Sequence, residues 1–150
     1  MDPETGAPAS AKDLLERYAV PDRLRFGASE LLRERGAGVR SHLADGSGVA
    51  WLVPDDLAGR AAIDAEPVAQ PVPGRVAKRT RSTDPAVVWP RWTQCEVAAK
   101  LLDLPVLSWL EWPGLIVPGA IARQVRMKHV RVDDVLVCCG LRVDARPQDQ

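Results

Sequence analysis

Apolar residues on one helical face mark two segments near the start of the chain. The first follows Ser10, which can cap a helix that begins near Ala11. The second covers residues 22–35, where leucine and alanine recur at helical spacing and charged residues fill the other faces. Gly36 and Gly38 then stop the pattern. The opening of the chain is therefore predicted to form two helices.

Two short β-prone runs follow these predicted helices. They cover residues 39–43 and 49–53, and the turn-forming stretch Asp45-Gly46-Ser47-Gly48 lies between them. Strands separated by residues that tolerate a positive φ are typical of a β-hairpin. The acidic pair Asp55-Asp56 then predicts a capped short helix through residue 63.

The composition changes over residues 64–86. Four prolines interrupt this stretch, and residues 74–81 are basic. Proline-rich and charged segments are typical of extended linkers, so a linker is predicted here.

Residues 87–143 show a second set of patterns in a similar order. Thr93-Gln94-Cys95-Glu96 has the spacing of a capping box, and an apolar run follows it directly. Residues 133–141 are predicted as a helix or a strand, and the pattern does not decide between them. The other predicted elements of this half are a turn at 103–105, a short helix at 106–112, and a hairpin of 116–121 with 125–132.

A weak internal repeat relates the two halves. Val53-Pro54-Asp55-Asp56-Leu57 recurs loosely as Val132-Asp133-Asp134-Val135-Leu136, each copy after a β-prone run and downstream of a segment with a Leu-Leu pair. The repeat predicts an α+β protein of two small winged-helix-like modules joined by the proline-rich linker. The boundaries are a tail at 1–10, module one at 11–63, the linker at 64–86, module two at 87–143, and a tail at 144–150.

Composition limits the classes of protein to consider. The chain has 150 residues, of which 46% are hydrophobic, and its 20 basic residues match its 20 acidic ones. Zero net charge counts against a strongly basic nucleic-acid binder, although local patches remain allowed. No apolar run has the length of a membrane helix, and the polar start is unlike a secretory signal. Three cysteines, an odd number, fit a reducing cytoplasm.

The second half resembles the helix-turn-helix modules of excisionases and MerR-type regulators. The pieces that carry the resemblance are residues 96–102 (Glu-Val-Ala-Ala-Lys-Leu-Leu), the turn at 103–105, Trp109, residues 114–118, and residues 128–136 with a basic strand and an acidic pair. The likeness covers about fifty residues, from 92 to 141. It implies a winged helix that inserts its second helix into the major groove of DNA.

One departure from that family concerns the recognition helix. Residues 106–112 hold no positive charge and one acid, whereas groove-reading helices carry Arg, Lys, Asn or Gln. Contacts from module two would therefore come from its basic strand. Module one offers the richer set of arginines, on its second predicted helix, although its match to the family is poorer.

The predicted function is a DNA-binding regulator or accessory factor of the excisionase or repressor type, as phages and mobile elements encode. Cations would bind the phosphates of double-stranded DNA, and a wing or helix would read the groove. The basic residues assigned to this contact are Arg23, Arg25, Arg33, Arg79, Arg81, Arg126, Lys128 and Arg131.

Two alternatives stay open. One is a protein-interaction module on the same scaffold, with Trp109 and Trp112 as core residues or as a partner or homodimer contact. The other is a single compact domain with an unrelated fold, in which the repeat is accidental. No nucleophile motif or phosphate-binding loop is found, the acidic pairs are explained as caps, and the cysteine spacing does not suit zinc. Neither enzyme activity nor a cofactor is predicted.

Overall fold

The protein is a mixed α+β chain of short elements. A computed structural model describes residues 9–34, 38–105 and 107–143, except for the side chains of residues 33 and 34. Most of the two predicted tails lies outside these ranges. The helices are α1 (Ala11–Tyr18), α2 (Ser29–Glu34), α3 (Asp55–Ala58), α4 (Gly74–Thr80), α5 (Pro85–Leu101) and α6 (Gly119–Ala122). The strands are β1 (Leu24–Ala28), β2 (Val39–His42), β3 (Ser47–Trp51), β4 (Ala61–Pro67), β5 (Val125–Val132) and β6 (Val135–Arg142).

The strands form two antiparallel sheets of three strands each. The first sheet has the order β1-β3-β2, and the second has the order β4-β6-β5. In the first sheet Val49 lies between Phe26 and Ser41. In the second, Cys139 lies between Ile63 and Lys128. Each sheet therefore buries its central strand between two partners.

The main core lies between the two sheets and α1. Val49 and Trp51 of the first sheet pack with Ile63 and Val137 of the second and with Leu15 of α1. All five are buried. Because successive strand residues point to opposite faces, the apolar residues on the other face of the second sheet must be buried by a different element.

Helix α5 covers that second face. Val97 and Leu101 pack there against Ala62 and Cys138. Gly140 allows the close approach, since a Cβ on it would lie 2.3 Å from Val97 Cγ1. Helix α5 therefore lies on one face of the second sheet and α1 on the other.

A tryptophan-rich cluster extends the core beyond α5. Trp92 contacts Trp89 and Trp109 edge to face, with ring centroids 5.8 and 4.6 Å apart. Val76 of α4 and Leu115 pack into the same cluster. Aromatic pairs in this geometry contribute beyond their buried area, so the cluster anchors α4 and the turns after α5.

The helix at the start of the chain and the first hairpin are confirmed. Ser10 caps α1 by accepting from the backbone N–H of Asp13. Strands β2 and β3 form the hairpin, and Gly46 in its turn has a φ of 86°. Both predictions depended on local chemistry that needs no distant partner.

The single helix predicted for residues 22–35 is wrong. A 3-10 turn at Pro21–Arg23 leads into strand β1, and only α2 is helical. Leu24 is buried opposite Trp51 in the ladder with β3. Helix propensity is a weak prior, and Gly27 lowers it further, so pairing with β3 prevails.

The extended linker predicted for residues 64–86 is also wrong. Its first residues belong to β4, which pairs with β6, and most of its basic part is α4. Pro73 stands at the N-cap of α4, and Pro85 is the first residue of α5. Proline is favoured in the first turn of a helix, because the backbone N–H that it lacks would have no acceptor within the helix there. The predicted boundary after residue 63 falls inside a strand.

The predicted elements of the second half change in three places. Thr93 is inside α5 and donates to the carbonyl of Trp89, so it caps nothing. The segment predicted as a helix over 106–112 forms a 3-10 turn at Ser108–Glu111 in the part that the structure describes. The partner of β5 is β6, which removes 116–121 from the hairpin and shows 133–141 to be mainly strand.

The two copies of the repeat differ in structure. Asp55 and Asp56 open α3, whose N-cap is Pro54 with no side-chain hydrogen bond. Asp133 instead lies in the turn of the β5–β6 hairpin with a φ of 53°. The similarity therefore marks a turn-forming composition and not a repeated module.

Candidate nucleic-acid interface

Helix α1 presents cations to solvent from its outward side. Its cap fixes the first turn, and Leu15 anchors the helix in the core. Lys12 and Arg17 are exposed, while Arg17 also complements the C-terminal end of the helix dipole. The same helix that closes the core therefore also displays positive charge.

Strand β5 brings two further cations to the same side. Arg126 lies opposite Leu141 and Lys128 opposite Cys139, on the face of the second sheet that packs against α1. Because β5 is an edge strand, long side chains there can pass α1 and keep their charged ends in water. The alternation of the strand thus directs both residues toward α1.

Adjoining surface depressions join these residues. One of about 290 Å³ is lined by Lys12, Leu15, Glu16, Arg126, Met127 and Lys128. A second of about 300 Å³ brings Arg60 beside Lys12 and Arg126. A third joins Arg60 to Arg17, Tyr18 and Asp56. Residues distant in sequence therefore surround α1 on one side of the molecule.

Arg23 adjoins this group through an aromatic ring. Its guanidinium lies 5.1 Å from the centroid of the Tyr18 ring, and that of Arg17 lies 6.0 Å from it. A cation over an aromatic face is attracted by the ring quadrupole, which holds both arginines near the helix end. We call the α1 surface the set of Lys12, Arg17, Arg23, Arg60, Arg126 and Lys128.

The α1 surface keeps a positive excess. Five of its six cations line the depressions together with two carboxylates, Glu16 and Asp56, which leaves three positive charges there. Within the described residues, Lys100 forms an ion pair with Asp64 elsewhere in the molecule, whereas Lys12, Arg126 and Lys128 form none. Lys12, Arg126 and Lys128 are therefore not tied to a neighbouring carboxylate there.

Two of the residues predicted to bind DNA face elsewhere. Arg25 lies opposite Ala50, on the outward face of the first sheet, and its Nη1 donates to the carbonyls of Asp22 and Leu24. Arg131 lies opposite Leu136, on the other face of β5 from Arg126, and its Nε donates to the carbonyl of Asp133. Neither lies on one face with Arg126 and Lys128, because Arg131 is an odd number of residues from Arg126 on β5 and Arg25 belongs to β1 of the other sheet.

Arg79 and Arg81 are not part of the α1 surface. Both are exposed on and just after α4, which packs in the tryptophan cluster on the α5 side of the second sheet. The side chain of Arg33 lies outside the described residues. Of the eight predicted contacts, the structure thus brings together Arg23, Arg126 and Lys128.

Of the two roles predicted for Trp109, core residue or partner contact, its burial agrees with the core role. Its indole is 0% exposed and packs edge to face on Trp92. Trp112 is half-buried beside the same cluster. Trp109 is in the 3-10 turn and Trp112 follows it in an extended conformation, so both pack in the same cluster without sharing an α-helix.

A buried group of charges links the two sheets to α5. Asp64 is 7% exposed, accepts a hydrogen bond from Ser41 of β2, and lies 3.8 Å from Lys100 of α5. Burial raises the pKa of Asp64 to about 7, against the effect of Lys100 and together with that of Glu96. Burial, then the charge of Asp64, likewise raises the pKa of Glu66 to about 7. The contacts of Asp64 therefore join β2, β4 and α5.

The thiols and the second histidine are also part of the interior. Cys139 faces the main core and Cys138 the α5 side, so neighbouring thiols point apart as the sequence predicts. Burial raises the pKa of Cys95 and that of Cys139 to about 12. Burial lowers the pKa of His129, whose Nε2 lies 3.0 Å from Thr93 Oγ1. Across the described ranges, no cluster of three or more His, Cys, Asp or Glu is arranged to hold a metal.

The chain stands apart in comparisons with known proteins. No protein-family model, curated protein or solved structure matches it. No helix in the described parts of the chain has the length and apolar character needed to cross a bilayer.

Sequence reasoning missed half of the α1 surface. Lys12 and Arg17 lie on a helix that the pattern predicted, so their exposed positions were a usable signal. Arg60 had none, because its place follows from the turn between α3 and β4. The pairing of Ser29 with His42, described below, was also missed because the two are thirteen residues apart in sequence.

Proposed function

We propose that this protein binds double-stranded DNA through the phosphate backbone, using the α1 surface. The observation that supports this most is the meeting of five cations from α1, the α3–β4 turn and β5 in adjoining depressions. A balanced chain has no general excess of cations to explain such a cluster. Local positive excess on one face is the electrostatic footprint of a polyanion binder.

The mechanism would be charge neutralisation with release of counterions. Each phosphate bound by Lys or Arg releases condensed cations, so affinity falls with salt, with a slope of about 0.9 per phosphate contact. Lys12, Arg126 and Lys128 form the centre of the surface, and Arg17, Arg23 and Arg60 extend it past Tyr18. Such contacts position a protein on DNA without reading its sequence.

The family of this chain remains a hypothesis. The resemblance to excisionase and MerR-type modules predicts DNA contact by a basic strand that precedes an acidic pair. Strand β5 with Asp133 and Asp134 matches that part of the pattern. A role as a regulator or accessory factor rests on this resemblance, whereas the proposed phosphate contact rests on the α1 surface alone.

A salt titration of matched variants tests the proposal. Fluorescence anisotropy with a labelled DNA duplex should show binding that weakens steeply as salt rises. The triple variant Lys12→Ala, Arg126→Ala, Lys128→Ala should bind weakly at low salt. It should also reduce the salt slope by about 2–3, since each lost phosphate contact is worth roughly 0.9.

The control carries the same loss of charge on a separate surface. Arg79→Ala with Arg81→Ala and Lys78→Ala removes three cations from α4 and the residue after it, on the α5 side. This variant should keep the affinity and slope of the natural chain. Equal loss in both variants would show a net-charge effect only, and loss in the α4 variant alone would move the interface to α4.

A protein-interaction module is the second candidate. Leu107 and Ile116 are 43% and 56% exposed beside the tryptophan cluster, and exposed apolar side chains that join into a patch mark protein-interaction sites. Light scattering of the natural chain and of Ile116→Ser separates this candidate from the first. Self-association lost in the variant, without DNA binding by either protein, would favour it.

A further inference from the structure

A small cleft lies between α2 and the β2 edge of the first sheet. It has a volume of about 230 Å³ and is lined by Ser29, Leu32, Arg40, Ser41, His42 and Gly48. Arg40 and His42 are two apart on β2, so both face the same side of the sheet. We call this site the β2 cleft. It shares no residue with the α1 surface.

The hydrogen bonds in the β2 cleft orient His42. Ser29 Oγ lies 2.9 Å from His42 Nδ1, and it donates to the carbonyl of Gly46 at 3.1 Å. A hydroxyl has one proton to donate, so the proton between Ser29 and His42 must belong to the imidazole. Ser29 therefore accepts a hydrogen bond from His42 and donates one to Gly46. In this arrangement His42 cannot take the hydroxyl proton, so Ser29 is not activated as a nucleophile. The arrangement fixes the ring and leaves Nε2 free for a ligand. Nε2 donates to an oxyanion when the imidazole is protonated, and when the imidazole is neutral it accepts from a hydroxyl of a partly protonated phosphate.

Arg40 supplies an uncompensated charge at the same place. Its guanidinium has no hydrogen bond or ion pair with any residue in the described ranges, and none of the lining residues is a carboxylate. Asp45, in the neighbouring turn, is occupied by the backbone N–H and hydroxyl of Ser47. The electrostatics of the β2 cleft therefore favour an anion.

Gly48 keeps the floor of the β2 cleft open. A Cβ at this position would lie 3.0 Å from Ser29 Oγ, 3.2 Å from Leu32 Cδ1 and 3.3 Å from the Ser41 carbonyl oxygen. The absence of a side chain thus preserves space beside the Ser29–His42 pair. The volume is below the range of about 300–1,000 Å³ typical of sites for larger organic ligands.

We propose that the β2 cleft binds a small oxyanion of the phosphate class, held by the guanidinium of Arg40 and by Nε2 of His42. The planar guanidinium matches two oxygens of such an anion at once. Ser29 positions the imidazole through Nδ1, and Gly48 leaves the room. The phosphate could be free, part of a monoester or part of a diester, and all three present the same oxygens to Arg40.

Titration with inorganic phosphate tests this site directly. The imidazole resonances of His42 should shift and saturate at millimolar phosphate, with chloride balancing the ionic strength, while those of His129, which is half-buried and outside the cleft, stay fixed. Arg40→Gln should weaken binding roughly tenfold or more, the usual effect of losing a charge-assisted hydrogen bond. Gly48→Ala should also weaken binding, although it keeps both Arg40 and His42.

Two further arms complete the experiment. Arg123→Gln, which removes an equal charge from the exposed end of α6, should leave phosphate affinity unchanged. Methyl phosphate and dimethyl phosphate distinguish a monoester from a nucleic-acid diester as the source. Absence of saturable shifts, or equal affinity in the natural chain and Arg40→Gln, would overturn the site. Neither result bears on the α1 surface, whose variants leave the β2 cleft intact.

Discussion

A few residues in this protein have roles that their type alone does not suggest. Gly140 is in the middle of a strand, where glycine is usually unfavourable because it has no side chain to pack. Here the missing Cβ lets α5 lie directly on the second sheet, with Val97 in the space. Gly140 thus lowers the stability of the strand itself but allows α5 to pack closely on the second sheet.

Gly140→Ala should destabilise the protein. Its Cβ would overlap Val97 Cγ1 and approach Leu101 Cδ1 at 3.1 Å, so α5 must shift. Overpacking of this kind costs about 1–3 kcal/mol of unfolding free energy, which urea titration can measure. Gly59→Ala is the matched control, because a Cβ there meets nothing within 4 Å and the backbone is helical. Similar stability of both variants would contradict the close contact.

Asp64 should make stability depend on pH. Its pKa is raised to about 7 by burial, against about 3.9 for an ordinary aspartate. Between these values the folded chain holds a proton that the unfolded chain has lost, so its contribution is complete in acid and declines as pH rises toward 7. We expect a fall on the order of a few kcal/mol in unfolding free energy, shared with Glu66, whose pKa is shifted in the same direction.

The matched variants Asp64→Asn and Asp134→Asn test this dependence. Asn at 64 should flatten the change in unfolding free energy between about pH 5 and pH 7, since it has no proton to lose. Asp134 is exposed in the hairpin turn, so its variant should keep the natural pH profile. An unchanged slope in Asp64→Asn would assign the effect elsewhere.

At the scale of elements, the sequence predicted those whose signals are local. The cap at Ser10 and the turn around Gly46 depend only on residues close in sequence, and α1 and the first hairpin form as predicted. Residues 22–35 carried a valid helical spacing, yet the pairing of Leu24 with Trp51 converted its first half to a strand. Trp51 is too far from Leu24 in the sequence for a local pattern to predict this pairing.

The prolines of residues 64–86 are compatible with either an extended linker or the starts of helices, and the prediction of a linker was wrong. Pro73 and Pro85 each stand at the start of a helix, where proline is favoured, although four prolines in one segment had suggested a linker.

The position of the cationic surface could also be predicted only in part from the sequence. The strand alternation that separates Arg131 from Arg126 was available once β5 was assigned, but the joining of β5 with α1 required the fold.

At the scale of the whole molecule, the core crosses the boundary that the sequence suggested. Trp51 and Val49 come from the first half, and Val137 and Leu141 from the second, yet they form one cluster. Strand β4 leaves the first half to pair with β6. Two modules with separate cores would share neither a cluster nor a sheet.

We therefore expect the chain to unfold as one cooperative unit. Under native conditions, the amides of Val49 in β3 and Val137 in β6 should exchange with deuterium at the same opening free energy. Leu141→Ala removes buried methyl groups from the shared core, so it should lower both values together, by about 2–4 kcal/mol. Ile116→Ala, at a position 56% exposed, should change neither by more than about 0.5 kcal/mol. A drop confined to β6, with β3 retaining its protection, would instead mean that the halves fold separately. The cations of α1 and β5 would then come together only when the halves dock, which would make the α1 surface conditional on that docking.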